Sequence, residues 1–405
     1  MPEAAVRELR DLPVLDLSDP EAWQDIHRPL AELRERTAVA VTPDGAPQVL
    51  RHAEVEAVLK DPRFVAADLF AMSGVTSGPV WEWWQRVMFS QDPPAHTRLR
   101  SLVSRAFTPR AVEGRRPAIR RRAEEILLPA VAAGRVDAQG DLGHRLPLAV
   151  ISDLLAVPEA DRATFGEWTK TLGLAFLSVA DRDVRRRVEQ ALADLDAYVG
   201  GLIADRRRAP GDDLLSRLIA AEEEGDRLTS EELVALVENL LFAGHDTTRG
   251  ALAAMSVLLA THPEQYRRLV EDPTLVAGAV EEVIRFEAIT FGTARLASAD
   301  CEVGGVAIAA GTPVSLCLTS ACRDPRRYPA PDRFDVGRDD ARSPAFGAGI
   351  HYCLGAALAR AELEEALGVL VGTVGSLGLA STPRWVPHAA IRCFEPPVEV
   401  LLTPR

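Results

Sequence analysis

The chain has 405 residues, a formal net charge of −13, 47% apolar residues and 26% charged residues. That mix excludes a disordered chain, which cannot bury enough apolar surface, and five cysteines over this length exclude a disulfide scaffold. The acidic balance argues against nucleic acid as a partner, because phosphate binding needs a net basic footprint.

No internal repeat and no Ser/Gly/Pro linker divides the chain, and length alone allows roughly two to three domains. The first 50 residues predict a short helix and then strand pairing through AVAVTPDGAPQVL, with Asp44-Gly45 as the hairpin signal. Residues 68–90 show no period and hold Trp81, Trp83 and Trp84 within WEWW, which predicts a long loop, functional or disordered. From about 96 to 262 the pattern is helical, broken by Pro109, Pro117, Pro147, Pro158 and Pro210. The longest helix is expected to start at a capping box, Thr229-x-x-Glu232, and to run about thirty residues to His262-Pro263, where proline stops it. It is apolar on most sides in its second half, as a central buried helix must be.

A second long helix is predicted over about 274–287, followed by a β region ending in CEVGGVAIAAGTPVSLCL, with Gly304-Gly305 as a two-residue turn. An irregular Pro- and Arg-rich stretch spans 322–345, a last helix follows FGAGIHYCLG, and 384–403 reads as a terminal hairpin. The expected fold class is mainly α with small β-sheets (α+β). Its β portions lie at about 35–65, 288–320 and 384–403, and its helical portions at about 96–287 and 354–375. The cysteines, Cys301, Cys317, Cys322, Cys353 and Cys393, are odd in number. The N-terminus lacks an apolar h-region, and no stretch reaches the ~18 apolar residues of a membrane span. A reducing cytoplasm and no membrane association are expected.

The most informative segment is Phe346-Gly347-Ala348-Gly349-Ile350-His351-Tyr352-Cys353-Leu354-Gly355. Gly347 and Gly349 permit a tight turn, and Cys353 falls at the mouth of a helix, where dipole and free N–H groups favour the thiolate. A thiolate is a soft metal ligand. A buried free cysteine is the ordinary alternative, as for Cys301, Cys317 or Cys393. A zinc site lacks a second Cys-x-x-Cys pair, and a nucleophilic Cys353 would need His351 as its base.

The segment resembles the haem-ligand signature of the cytochromes P-450, Phe-Gly-x-Gly-x-His-x-Cys-x-Gly, at every fixed position. The resemblance extends over nearly the whole chain and implies one large domain (1–405) organised around haem b (iron protoporphyrin IX). By it, Cys353 is the iron ligand, His351 meets a haem propionate, and Phe346, Gly347 and Gly355 shape the loop.

Ala243-Gly244-His245-Asp246-Thr247-Thr248 interrupts the apolar helix. Glycine costs about 1 kcal/mol there, and buried acid and hydroxyl groups are expensive unless paired. A back-bonded Thr that merely bends the helix is one reading. The resemblance implies that Ala243 and Gly244 border the dioxygen site and that Asp246 and Thr247 form an acid–alcohol pair delivering protons.

Glu282-Val283-Ile284-Arg285 sets a carboxylate and a guanidinium one helical turn apart. Alone it reads as a surface ion pair; the resemblance implies a buried Glu282–Arg285–Arg333 triad locking the cysteine loop. His96 and Arg100 share a helix face, and with Arg295 and His351 they form, by the resemblance, the propionate clamp, for which arginine is well suited. The resemblance places a substrate pocket near Trp81, Trp83, Trp84, Phe89, Phe176, Asn239, Phe242, Ile289, Thr290 and Ile391; Asn239 either orients substrate or bonds a neighbouring loop, and the tryptophans form an aromatic lid or pack under the loop. Ala288-Ile289 replaces the family's frequent Pro-Pro, and Cys322 its frequent Asn.

The resemblance implies a monomeric enzyme inserting one atom of dioxygen into a C–H bond of a small molecule, a secondary metabolite by its class. Ferredoxin and its reductase would supply the electrons. Oxidative coupling of aromatic groups within the family, a non-catalytic haem protein and a cysteine hydrolase are the competing readings. Six arginines within 110–122 (Arg110, Arg115, Arg116, Arg120, Arg121 and Arg122) form a basic patch where an acidic ferredoxin can dock, or else a solvated face.

Overall fold

The capping box at Thr229 forms. The Glu232 N–H donates to Thr229 Oγ1 (3.1 Å) and the Thr229 N–H to Glu232 Oε2 (3.0 Å), satisfying two donors that a helix start leaves open. The helix it launches is shorter than the sequence suggests. It ends at Ala243, and a second helix runs from Asp246 to Thr261. The expected helix of thirty residues is therefore two. They part at Gly244-His245, where glycine and the Asp and Thr side chains that follow weaken helical hydrogen bonding. A Cβ at Gly244 would also press on Ile151 Cδ1 at 3.2 Å.

The structure, a computed structural model, describes residues 7–223 and 228–405. Its strands are β1 (Val39–Val41), β2 (Pro47–Val49), β3 (Phe64–Ala66), β4 (Arg135–Asp137), β5 (Gly292–Ala297), β6 (Cys301–Val303), β7 (Val306–Ile308), β8 (Pro313–Cys317), β9 (Val374–Leu379) and β10 (Glu399–Pro404). One sheet has the order β1-β2-β8-β5-β3, another β4-β10-β9, and β6-β7 stand as a hairpin. β2 and β8 pair in parallel, Gln48 opposite Ser315, and the other pairs are antiparallel. Both expected turns are present. Gly304 and Gly305 take φ of +55° and +75° between Val303 and Val306, as a primed turn demands, and Gly45 takes +88° between β1 and β2.

The helices that position the site are α1 (Pro79–Trp84), α2 (Ala95–Val103), α3 (Arg116–Ala133), α4 (Arg182–Arg208), α5 (Ser230–Ala243), α6 (Asp246–Thr261), α7 (Val276–Phe286) and α8 (Ala356–Thr373). Helices α5 and α6 are buried on nearly all sides, through Leu233, Leu236, Val237, Leu240, Leu241, Leu252, Met255 and Leu259, as their apolar composition requires. Among the described residues no helix is long and apolar enough to cross a membrane.

Two expectations change. Residues 68–90 are not a loop but short helical turns, Leu69–Met72, α1 and Met88–Ser90. Asp68 caps the first by accepting the Ala71 N–H (2.9 Å), and Gly78 at φ +94° admits the chain to Pro79 at the start of α1. Turns this brief leave no helical period to read. The 384–403 segment is a hairpin only at its start, where Trp385 bridges Phe394 and their rings stack at 3.8 Å. Its end, β10, pairs instead with β4 and with β9, the strand that leaves α8 directly.

Candidate active site

The cysteine loop is held by its own backbone and by two arginines. Gly347 and Gly349 take φ of +70° and +68°, and a Cβ on Gly349 would collide with the Leu59 carbonyl. The Cys353 N–H donates to the Phe346 carbonyl (2.9 Å), and the Gly355 N–H lies beside the Cys353 sulfur. The Arg100 guanidinium donates to the Tyr352 carbonyl (2.6 Å), and Arg360 lies 4.6 Å over the Phe346 ring while pairing with Glu281 of α7. Burial pushes the Cys353 thiol above the ordinary range, while the Gly355 N–H and the charges of Arg100 and Arg360 pull it down by less.

Cys353 faces an apolar cavity of about 380 Å³. Ala243, Thr247, Arg295, Phe346, Gly347 and His351 line it, with Trp84, Phe89, Phe176, Phe242, Ile289, Thr290 and Ile391. Phe176 stacks on Phe242 at 5.1 Å, and the Trp84 ring meets Phe89 and Phe176 edge-on. The sequence reading missed Thr248, Ala251, Leu69 and Ala390 on this wall. Ala251 was findable, since it sits four residues after Thr247 on the same helix face.

Other expected members do not reach the cavity. Gly244 packs against Ile151. Asn239 is buried in α5, and its Nδ2 lacks a hydrogen-bond partner. Trp81 donates its indole N–H to Asp68 Oδ2 (2.9 Å), and Trp83 turns its edge to Phe242 at 6.3 Å. The aromatic lid thus reduces to Trp84 at the cavity wall. Asp246 also points away from the cavity. Its Oδ1 lies 3.2 Å from His245 Nδ1 and 3.3 Å from Arg249, and His245 Nε2 meets His144 Nδ1 at 3.1 Å. Burial pushes the Asp246 carboxyl up, but His245 and Arg249 hold it below the usual carboxylate range. Burial, with His245 and Arg249 beside it, pushes His144 down to about 4. Thr247 Oγ1 donates to the Ala243 carbonyl (3.2 Å), so the hydroxyl spans the break between α5 and α6.

At one edge of the cavity the cationic groups gather. His96 of α2 is buried with its ring 4.3 Å from that of His351. Arg295 of β5 is buried beside them, and Arg100 lies one turn beyond His96. His96 Nδ1 and His351 Nε2 have no hydrogen-bond partner among the described residues. Burial first, then Arg295, His96 and Arg100, push His351 down to about 3. Orphaned buried donors and repelling cations call for an anion. A flat apolar ring system with carboxylates at one edge and a soft metal at its centre fits this donor set and Cys353.

The buried ion cluster below the loop differs from the expected triad. Arg285 donates to both Glu282 oxygens (2.7 and 2.9 Å) with both residues fully buried. The third partner is Arg338, whose Nε donates to Glu282 Oε2 (2.9 Å), not Arg333. Arg333 is exposed and lies 3.4 Å from Asp335. Ala330, at φ +47°, turns the chain so that Arg338 reaches back, donating also to the carbonyls of Pro329, Ala330 and Arg333.

The arginines of 110–122 are largely engaged by carboxylates. Arg116 binds Glu113, Glu364 and Glu365 (2.7, 2.6 and 3.1 Å), Arg120 binds Glu124 (3.1 Å), and Arg122 binds Glu125 (3.0 Å). Arg110 and Arg121 are exposed, and Arg115 is half-buried.

Residues 167–373 match the family described as Cytochrome P450. The chain is 39% identical over 360 residues to cytochrome P450 monooxygenase PikC of Streptomyces venezuelae, covering 87% of this chain and 84% of that one. It is 40% identical over 346 residues to mycinamicin IV hydroxylase/epoxidase of Micromonospora griseorubida, covering 83% and 85%. The crystal structure of CalO2 superposes with a TM-score of 0.91 at 32% identity, over 97% of this chain and 100% of that one.

Proposed function

The chain belongs to the cytochrome P450 family of oxidoreductases, and we propose that it is a haem-thiolate monooxygenase inserting one oxygen atom into a C–H bond of a bulky, mainly apolar small molecule. One observation carries the reading: Cys353 and Thr247 face the same apolar cavity, from α8's loop and from the break between α5 and α6. The names of relatives such as mycinamicin IV hydroxylase/epoxidase support a secondary metabolite as the substrate class.

Haem b is the cofactor we assign. Cys353 would hold its iron, and His96, Arg100, Arg295 and His351 would take its carboxylates. When bound, it supplies thiolate-ligated iron, whose chemistry is the reductive cleavage of dioxygen. Thr247 presents a hydroxyl that can pass a proton into the cavity, and Asp246, next along the backbone, is the acid that replenishes it. Trp84, Phe89, Phe176, Phe242, Ile289 and Ile391 exclude water and hold the substrate by shape, while Thr290 offers it a polar handle. The Glu282–Arg285–Arg338 cluster keeps the cysteine loop in register. A ferredoxin and its reductase provide the electrons, and the protein acts as a monomer with no nucleic-acid or membrane partner.

The test is a reduced, carbon-monoxide-bound difference spectrum followed by turnover under isotopically labelled dioxygen. A thiolate-type Soret band and one labelled oxygen in the product are expected. A spectrum without that band ends the proposal, and a product without label redirects it to oxidative coupling.

A further inference from the structure

A second cleft, of about 450 Å³, opens between α1, α4 and α5 and shares no lining residue with the cavity at Cys353. Its charged groups are Glu82 and Arg86 from α1 and the turn after it, Glu189 and Asp196 from α4, and Glu231 and Glu238 from α5. The carboxyls outnumber the single guanidinium, whose Nε already donates to the Glu82 carbonyl (3.1 Å).

The floor of the cleft is what sets it apart from a solvated acidic face. Glu238 is only 2% exposed and Trp83 only 4%. Glu238 Oε1 and the Trp83 indole nitrogen make no well-formed hydrogen bond among the described residues, although Trp83 and Asp196 both lie beside the Glu238 carboxyl. A buried carboxyl oxygen without a well-formed hydrogen bond is costly, and the charge of Arg86 on the same cleft offsets the burial of Glu238 only in part. Burial, and then the nearby Asp196 carboxyl, push Glu238 up to about 9. By itself Glu238 therefore keeps its proton at neutral pH, and a cation set between Glu238 and Asp196 would let both carboxyls ionise. Among the described residues no group of three His, Cys, Asp or Glu side chains is arranged to hold a metal ion, which favours an organic cation. Trp83 adds an aromatic surface of the kind that attracts alkylammonium groups, and Leu192 and Val234 give apolar wall for a carbon skeleton.

We propose that this cleft binds an organic ammonium ligand, its nitrogen set against Glu238 and Asp196 and its carbon skeleton against Trp83. The occupant lies one aromatic contact from the first cavity, because Trp83 meets Phe242 edge-on at 6.3 Å and Phe242 lines that cavity.

The test is isothermal titration calorimetry on the full haem-loaded chain with protonated N,N-dimethylcyclohexylamine at neutral pH, with cyclohexylmethanol as the uncharged control and the Soret band recorded at each step. One saturable site for the amine, no comparable site for the alcohol and an unmoved Soret band are expected. Glu238→Gln is expected to weaken binding by roughly tenfold or more, as loss of a charged hydrogen-bond partner does. Asp196→Asn, at the exposed rim, weakens it too and carries the comparison if the buried variant does not fold. The proposal is overturned by absence of binding, by equal binding of the alcohol, by a Soret shift showing the amine on iron, or by wild-type affinity in the variants that fold.

Discussion

Asp246 Oδ1 lies 3.3 Å from the Arg249 guanidinium, one turn along α6, while Thr247 between them faces the cavity. The acid is therefore held in its ionised form away from the reacting space, and it is connected outward through His245 to His144 (3.1 Å). In the proposed proton route to Thr247 the proton would have to leave this cluster, the pair would work in series, and Arg249 would set how firmly Asp246 is held.

Substituting Asp246→Asn should lower turnover by about 10²-fold, within the range that a positioned acid or base supplies. Thr247→Ala should do the same, since its hydroxyl is the member that lines the cavity. The carbon-monoxide difference spectrum of both variants should match wild type. A loss of that spectrum would instead assign these residues to holding the fold.

Arg338 and Arg333 offer a sharper comparison. Arg338→Met leaves a fully buried Glu282 with one cation fewer, at a cost on the order of 3–5 kcal/mol. Arg333→Met removes an exposed contact, at about 0–1 kcal/mol. Urea unfolding of the two haem-loaded variants should separate them clearly, and equal midpoints would refute the observed pairing.

The contrast shows what the chain makes legible before folding. The cysteine loop could be read because its glycines, histidine and cysteine act through local spacing, and the turns at Gly304-Gly305 and Asp44-Gly45 rest on the same local chemistry. Which arginine meets Glu282 depends on the reversal at Ala330, a left-handed alanine that no propensity announces. The facing of Asp246 was hidden for a similar reason: the break at Gly244-His245 is visible as a weak point, but the rotation it gives α6 is set by packing against Ile151 and Gly173. Trp81, Trp83 and Trp84 look equivalent in WEWW, yet successive helical positions point in different directions, and only Trp84 meets the cavity. Strand β9 escaped because it leaves α8 without an intervening turn and finds its partner, β10, some twenty residues on.

Acid should weaken the fold through His27. Burial pushes this histidine from 6.5 down to about 4, although Glu287 sits 3.1 Å away and favours its charged form. Unfolded chains therefore bind a proton that the folded state refuses between these values. The stability is complete above pH 6.5 and falls as the pH drops toward 4. Glu287, held low against burial by Arg392 and His27, adds its own loss only below 4.5. Between pH 7.5 and 5.5, His27 alone should contribute a loss on the order of 1 kcal/mol to urea unfolding, and His27→Gln should remove that share of the slope while His144 and His351 keep theirs. A His27→Gln slope equal to that of wild type would show that other groups carry it.

The arginine-rich segment leads to a different docking test from the one its composition suggests. Arg116 is committed to Glu113, Glu364 and Glu365, tying α3 to α8, so reversing its charge would perturb the packing rather than read a partner. Arg110 and Arg121 are exposed on the same stretch and are the charges that the proposed acidic ferredoxin would meet. Arg110→Glu with Arg121→Glu should slow ferredoxin-driven reduction several-fold at low salt, and the difference should vanish when the Debye length shrinks to ~3 Å near 1 M salt. Reduction by dithionite should be unchanged, which separates docking from damage to the iron site. An unaltered ferredoxin-driven rate at low salt would remove this face from the docking surface.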